Sequence, residues 1–470
     1  MIWQYVLLGL ALVFACLSFA QWRWGIVLMI LLAAVQDPMR KMVPGTAGWL
    51  VLATAPIFIA MIFSSMVHQR GWWQRFGKPY PRIAKAMLIL LPLIFPAVIL
   101  SATYGPGSWM YTLFGVFSYS LILLAIVAGF HFARDEKALR AMLAAYCLIN
   151  GVMLTGGIFQ FYNWFPNSPI LGSDMFGYKW VRWADGYTVD MIAGFYRSAD
   201  VMGWHAASVC ILSFVLALSS GKGIRRYAWA ALSAFAVVAL LLCGRRKMVY
   251  MLPVFALALV WINWQAGRAA RAVAILGLLM IPLLAVYVTG DVISEDSANM
   301  RYYSGKGLRM DAADSIQGEG FASVMETFRQ SGFFGEGIGF ATPGAHNLSA
   351  AHPRIWQESA PSRIMVELGV PGMAGFLFVM LCLGLAMWRT TLAQVRARTT
   401  AAPIAAGLFA YFLANVGSLT VSGQILADPF IASFLGFLAG TVLSIPRLQA
   451  YRQARMEARM TTREMNLAHA

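Results

Sequence analysis

Residues 227–264 read YAWAALSAFAVVALLLCGRRKMVYMLPVFALALVWINW. Three consecutive cations, Arg245, Arg246 and Lys247, interrupt a stretch that is otherwise almost free of charge. Each apolar flank approaches the ~20 residues that an α-helix needs to cross the hydrocarbon core of a bilayer. The flanks are continuously apolar rather than alternating, which excludes a transmembrane β-barrel. The stretch therefore reads as two membrane-crossing helices joined by a tight basic turn.

The rest of the chain repeats the pattern. Of its 470 residues, 60% are hydrophobic and 12% charged, whereas a soluble domain carries about 25% charge. Apolar runs suited to spans cover 3–20, 22–36, 46–66, 85–104, 108–132, 139–160, 201–219, 227–243, 247–265, 271–289, 364–387, 402–421 and 428–445. The expected fold class is an all-α polytopic membrane protein with about 12–14 transmembrane helices. No repeat of fixed period is visible. The net charge of +16 reads as the Lys/Arg excess of cytoplasmic loops rather than as a nucleic-acid surface. Cys16, Cys147, Cys210, Cys243 and Cys382 lie within or at the ends of apolar runs with no CxxC spacing, so neither a disulfide framework nor a zinc site is expected. The N-terminal run lacks a basic leader and a cleavage site and reads as a retained first helix.

Short basic loops set the orientation. Arg70 to Lys85, Arg134 to Arg140, Lys222 to Arg226, Arg268 to Arg271, Arg389 to Arg398 and the tail from Arg447 all fall on one side of this segmentation, expected to be cytoplasmic. The expected organisation is N-terminal transmembrane helices over 1–160 and a first long periplasmic loop over 161–200. Central helices follow over 201–289, a large periplasmic loop over 290–363, C-terminal helices over 364–445, and a basic cytoplasmic tail over 446–470. Loops beyond about 12–15 residues usually carry function or are disordered. The larger one is expected to hold some helix packed on the membrane domain, best over DAADSIQGEGFASVMETFRQSG, with Gly332 near its stop.

The same alternation puts Arg245, Arg246 and Lys247 outside, against the charge trend, so they do not set topology. Three other clusters share that face: GFYRSADVMGWHA with Arg197 and His205, FFGEGIGFATPGAHN with His346, and QESAPSRIMVELGVPG with Glu358, Arg363 and Glu367. Guanidinium groups at a membrane boundary bind phosphate oxygens in pairs. Boundary arginines also snorkel to headgroups and do nothing further. Glu358, Arg363 and Glu367 equally suit a charge clasp fastening the loop to a helix start. The glycines of GEGIG suit a turn or a close backbone approach. His205 reads as an interhelical hydrogen-bonding residue; His346 and His352, in the external loop, are candidate general bases. External aromatics such as Trp164, Tyr178, Trp180, Trp183, Tyr187, Phe340 and Trp356 suit sugar stacking or interfacial anchoring. No HExxH, DxD or paired His/Cys ligand spacing appears, and no P-loop or GxGxxG, so neither a metal nor a nucleotide cofactor is expected.

In these clusters the chain resembles the O-antigen ligase and polymerase superfamily. The resemblance lies in the arginine opening a span in GFYRSADVMGWHA, the small-residue–arginine turn in LLCGRRKMV, the GxGxG…HN pattern in FFGEGIGFATPGAHN, and the ExxxxRxxxELGxxG element in ESAPSRIMVELGVPG. QDPMRKMVPG near the N-terminus fits a subgroup. The order agrees over residues 190–375 and the hydropathy over most of the chain. The resemblance implies a GT-C-like fold and a metal-independent glycosyltransferase at the periplasmic face of the bacterial inner membrane. Its donor would be an undecaprenyl-pyrophosphate-linked oligosaccharide, and its partners membrane lipid and polysaccharide assembly proteins. Arg197 and Arg245 or Arg246, with Lys247, would hold the pyrophosphate, alongside Arg363 and Glu367. His346 would be the base; its longer spacing to Glu367 keeps His352 and Glu358 as rivals. A transporter or lipid-linked glycan flippase is the alternative function, and a structural subunit of an export complex is a third.

Overall fold

In the computed structural model, residues 2–43, 48–105, 107–172, 181–184, 187–268, 323–342, 359–419 and 428–468 are described, with isolated positions between them. Among the described residues, 11 helical segments are long and apolar enough to cross a membrane. The chain is thus a multi-pass helical bundle of membrane type. The order begins α1 Ile2–Ala20, α2 Trp22–Lys41, α3 Ala55–His68, α4 Trp72–Gly77, α5 Pro81–Ala102, α6 Ser108–Phe132 and α7 Glu136–Phe161. It continues through a hairpin of β1 Val181–Ala184 and β2 Tyr187–Asp190 to α8 Ala199–Ser219, α9 Ile224–Leu242, α10 Arg246–Val249 and α11 Met251–Gln265. The last described helices are α12 Ser323–Ser331, α13 Ala360–Arg396, α14 Ala402–Leu419 and α15 Pro429–Ala468.

Several boundaries differ from the sequence expectation. The run expected over 22–36 is part of the longer α2, which goes on to Lys41 although it contains Pro38; its extra turn carries the charged pair Asp37 and Arg40. The run expected over 271–289 lies outside the described residues. The chain is not purely helical: Val181–Ala184 pairs antiparallel with Tyr187–Asp190, Ala184 opposite Tyr187. The sequence between them is Asp-Gly, the dipeptide that two-residue hairpin loops prefer. Of the helix expected over 311–332, Ser323–Ser331 is helical and ends at Gly332 with φ 70°; residues before 323 lie outside the described set. The last span runs without a break into the basic tail, as one helix from Pro429 to Ala468.

The basic loops gather at one end of the bundle. There Arg140 donates to the Ser219 carbonyl, Tyr80 to Leu443, Arg396 to Gln265 and Arg447 to Phe130, while Arg452 meets Glu136. Inside the bundle α8 is buried along almost its whole length, and α15 lies against α6. Gly129, Gly436 and Gly440 bring those two backbones together, since a Cβ at any of them would collide with a facing carbonyl.

The opposite end is built from capped helix starts. Ser198 accepts the Val201 N–H, Ser359 the Ser362 N–H and Asp428 the Ile431 N–H, opening α8, α13 and α15. Each cap satisfies an orphan donor of a first turn. Pro361 and Pro429 sit within the first two positions of α13 and α15, where proline's missing N–H costs nothing.

A glycine-rich segment threads into this end. α13 breaks at Gly369, whose φ is 63°. The break separates the Val366 carbonyl from the Val370 N–H, which would bond each other in an unbroken helix. Both are taken by the incoming segment: Glu336 N donates to Val366 O at 2.6 Å, and Val370 N donates to Phe333 O at 2.8 Å. Further along, Ile338 N donates to Ala97 O and Ser101 Oγ donates to Ile338 O at 2.8 Å. Gly339, at φ 90°, lies so close to the Tyr111 carbonyl and Gly115 that a side chain would not fit. The segment is wedged between α5, α6 and α13, as its glycines suggested.

Candidate functional site

Two polar networks sit at the capped end. The first begins on the last turn of α2. Asp37 and Arg40 are both buried, with Arg40 Nη1 3.5 Å from Asp37 Oδ1. Asp37 also reaches the segment that opens α8: its Oδ2 accepts the Arg197 backbone N–H at 3.1 Å, and its Oδ1 lies 3.6 Å from Arg197 Nη1. Arg197 Nη2 donates to Asp428, the capping residue of α15. Arg197 thus joins three segments far apart in sequence. Burial works against the charge on Arg197, but Asp428 and Asp37 outweigh it and hold the guanidinium above its ordinary value. Burial likewise opposes ionisation of Asp428, and Arg197 more than offsets it, leaving that carboxyl below its ordinary value.

Neighbouring contacts fix this network in place. Lys41 Nζ donates to the carbonyls of Gly172 at 2.6 Å and Gly194 at 2.8 Å, clasping the approach to Arg197. Gln160 Oε1 accepts the N–H groups of Ala193 and Gly194 at 3.0 and 2.7 Å. On the other side of the α8 start, Arg245 Nη2 lies 2.8 Å from Asp200 Oδ2. Gly244 turns the chain there with φ 74°, and Arg246 and Lys247 enter the short helix α10 rather than an open turn. His205, two turns into α8, sits 3.0 Å from the Tyr146 hydroxyl and between the rings of Tyr196 and Phe430. It is an interhelical hydrogen-bonding residue in an aromatic stack.

The second network lies where the glycine-rich segment meets α13. Arg363 and Glu367 form the i,i+4 pair that their spacing suggested, with Arg363 Nε 3.5 Å from Glu367 Oε2. Tyr119 donates to Glu367 Oε2 at 2.7 Å, and Thr342 donates to Glu367 Oε1 at 2.6 Å. Thr342 in turn accepts from Arg363 Nη2 at 2.6 Å. Arg363 is 1% exposed and Glu367 0%, so each is retained in a dry site by its partners. Arg363 Nε and Nη1 have no hydrogen-bond partner among the described residues.

The structure therefore brings Arg197 and Arg245 to the two sides of one helix start, with Lys247 close in sequence to the second. It brings Arg363 and Glu367 together separately; among the described residues, the side-chain bonds and ion pairs of Arg197 and those of Arg363 share no residue. His346, His352 and Glu358 lie outside the described residues, as does the side chain of Arg246. Of the aromatics, Phe340 packs on Tyr104 and Tyr111, and Trp164 beside Phe159 and Tyr162. No group of three or more His, Cys, Asp or Glu side chains placed to hold a metal occurs among the described residues.

One expectation changes in kind. Arg197 and Arg245, expected from the resemblance to hold a pyrophosphate, each have a carboxylate partner: Asp428 and Asp37 for the first, Asp200 for the second. Sequence reasoning missed Asp37, Arg40, Asp200, Asp428, Tyr119 and Thr342. The signals were an acid and two bases in the helix-ending QDPMRK, the Asp-Pro start of α15, and an acid in the first turn of α8. Chemically, the end offers partly neutralised guanidinium groups around positive helix N-termini, and a buried carboxylate facing a hydroxyl pair.

Compared with models of known families and with curated proteins, the chain matches none of them.

Proposed function

We propose that the chain is a multi-pass glycosyltransferase of GT-C-like architecture. It moves a glycan from an undecaprenyl-pyrophosphate carrier to an acceptor hydroxyl at the periplasmic face of the bacterial inner membrane. One observation carries the reading. The described parts of the sequence elements that resemble the O-antigen ligases and polymerases form two groups at the capped end of the bundle. QDPMRK, FYRSAD and GRRK meet around the start of α8, through the Asp37–Arg197 contacts and the Arg245–Asp200 pair. GEGIG and SRIMVELG meet through Glu336–Val366, Thr342–Glu367 and Arg363–Thr342. His346 follows Thr342 by four residues in sequence.

In this reading the acceptor oxygen attacks the anomeric carbon as the bond from that carbon to the pyrophosphate breaks. The proton passes to a base of the large loop, His346 first, with His352 and Glu358 as rivals. Cationic groups at the helix starts stabilise charge gathering on the departing pyrophosphate. Binding chiefly supplies proximity and orientation.

A second reading, transport or flipping of a lipid-linked glycan, gains from one feature. Asp37, Asp200, Asp428 and Glu367 are buried carboxylates paired with arginines, and buried ionisable groups in membrane proteins mark ion and substrate paths. The two readings part in cells carrying His346→Ala, His352→Ala or Glu358→Gln at equal membrane abundance. Transfer predicts that one of the three abolishes the glycan product, with lipid-linked precursor accumulating on the periplasmic side. Normal product in all three would remove the assigned base.

A further inference from the structure

Two deeply buried cations, Arg40 and Arg363, have donors without a hydrogen-bond partner among the described residues, and Arg40 is the one beside the starts of α8 and α15. Arg40 is 3% exposed, deeper than Arg197 or Arg245. Its Nε and Nη1 have no hydrogen-bond partner among the described residues; its one ion contact is Asp37, 3.5 Å away. That aspartate is shared. One oxygen takes the Arg197 backbone N–H, and the other stands between the Arg40 and Arg197 guanidinium groups. Asp428 is committed to Arg197 and to the Ile431 N–H. Arg197 therefore has most of the carboxylate contact, while Arg40 keeps its buried Nε without a hydrogen-bond partner among the described residues and its Nη1 in one long ion contact. A buried donor without a partner is costly, and more so when charged. A ligand that supplies an acceptor oxygen would remove that cost.

The surroundings favour an anion. Arg40, Arg197, Asp37 and Asp428 together are neutral, so the surplus comes from what flanks them. Lys41 follows Arg40 directly. The N-termini of α8 and α15 meet here, because Arg197 precedes one and Asp428 caps the other. Each helix end carries about half a positive charge, and helix N-termini receive phosphate groups. Arg245 is not equivalent: its Nη2 faces Asp200 at 2.8 Å.

We propose that Arg40 receives a phosphate oxygen of the substrate's head group through its guanidinium fork, between the starts of α8 and α15, while Arg197 holds the three segments together. This rests on the glycan-transfer reading for the identity of the head group, a diphosphate on a lipid tail. It does not rest on that reading for the residue that binds it.

The test uses full-length protein purified in detergent, with Arg40→Lys and Arg40→Gln. Farnesyl diphosphate and inorganic pyrophosphate are the probes, titrated by calorimetry, and thermal unfolding checks each variant. Arg40→Lys keeps the charge and loses the planar fork. Wild type is expected to bind farnesyl diphosphate, and Arg40→Lys to bind it about tenfold more weakly at an unchanged melting temperature. Pyrophosphate binding equally well would support the site and make its ligand a free diphosphate rather than a lipid head. Equal affinity of wild type and Arg40→Lys for farnesyl diphosphate, or no binding of either probe by wild type, would overturn the proposal. Arg40-dependent binding in a protein that transfers no glycan would uphold the site and sink the function.

Discussion

Asp428 caps α15 with one oxygen and holds Arg197 with the other. Replacing it with Asn keeps a cap but leaves Arg197 facing a neutral amide in a mostly buried site. Removing one partner of a buried pair costs about 3–5 kcal/mol, so Asp428→Asn should lower the melting temperature in detergent by several degrees at neutral pH. The pH dependence has a definite sign. The folded carboxyl lies below its ordinary value of 3.8. Its contribution is therefore complete above the ordinary carboxylate range and is lost as pH falls through the folded value. The gap between wild type and Asp428→Asn should be constant from pH 8 to about pH 5 and close only below that. A gap that closes between pH 8 and pH 6 would show that another group controls the network. The positions of Arg197 and Arg245 at this end were legible from alternation of the spans. Their partners were not, because Asp37, Asp200 and Asp428 come from turns remote in sequence, and nothing local announces which acid meets which arginine.

At the scale of elements, the glycine-rich segment carries the clearest prediction. Gly339 is held at φ 90° against the Tyr111 carbonyl. Gly339→Val adds both a left-handed strain and a collision with backbone. The segment should lose its seat between α5, α6 and α13, and with it the Thr342–Glu367 bond. Limited proteolysis of the membrane-embedded protein should then cut within 323–342 several-fold faster than in wild type. An unchanged cleavage pattern would mean that the segment is not fastened there. The sequence suggested close backbone approach for GEGIG without indicating what was approached. The answer depended on the break at Gly369, which looks like an ordinary residue of a long apolar helix until the segment claims the two freed backbone groups. Helix starts were partly legible: α8, α13 and α15 begin at Ala199, Ala360 and Pro429, against apolar runs expected from 201, 364 and 428, while the caps Ser198, Ser359 and Asp428 were not read from the sequence.

At the scale of the molecule, apolar run length was the most readable signal, since a span must satisfy its backbone internally over the bilayer thickness. The run expected over 22–36 differs in more than its edge: α2 is not among the 11 helical segments long and apolar enough to cross a membrane, and it carries Asp37 and Arg40 on a final turn. The basic loops gather at one end, which predicts orientation. In a cysteine-free background, Asn167→Cys, between α7 and the hairpin, should react with an impermeant maleimide from the periplasm. Lys222→Cys, between α8 and α9, should react only after the membrane is opened. The inverse pattern would turn the bundle over and put both polar networks on the wrong side for the proposed chemistry.

That chemistry is tested most directly by reconstituting the purified protein in liposomes with a synthetic undecaprenyl-pyrophosphate oligosaccharide and an acceptor, and following the glycan by mass. The account predicts a new glycosidic bond and a carrier left with its pyrophosphate, without added metal or nucleotide. Longer lipid-linked chains would identify a polymerase, and glycan released onto a separate acceptor a ligase. Movement of the intact lipid-linked glycan between leaflets, with no bond made or broken, would contradict it.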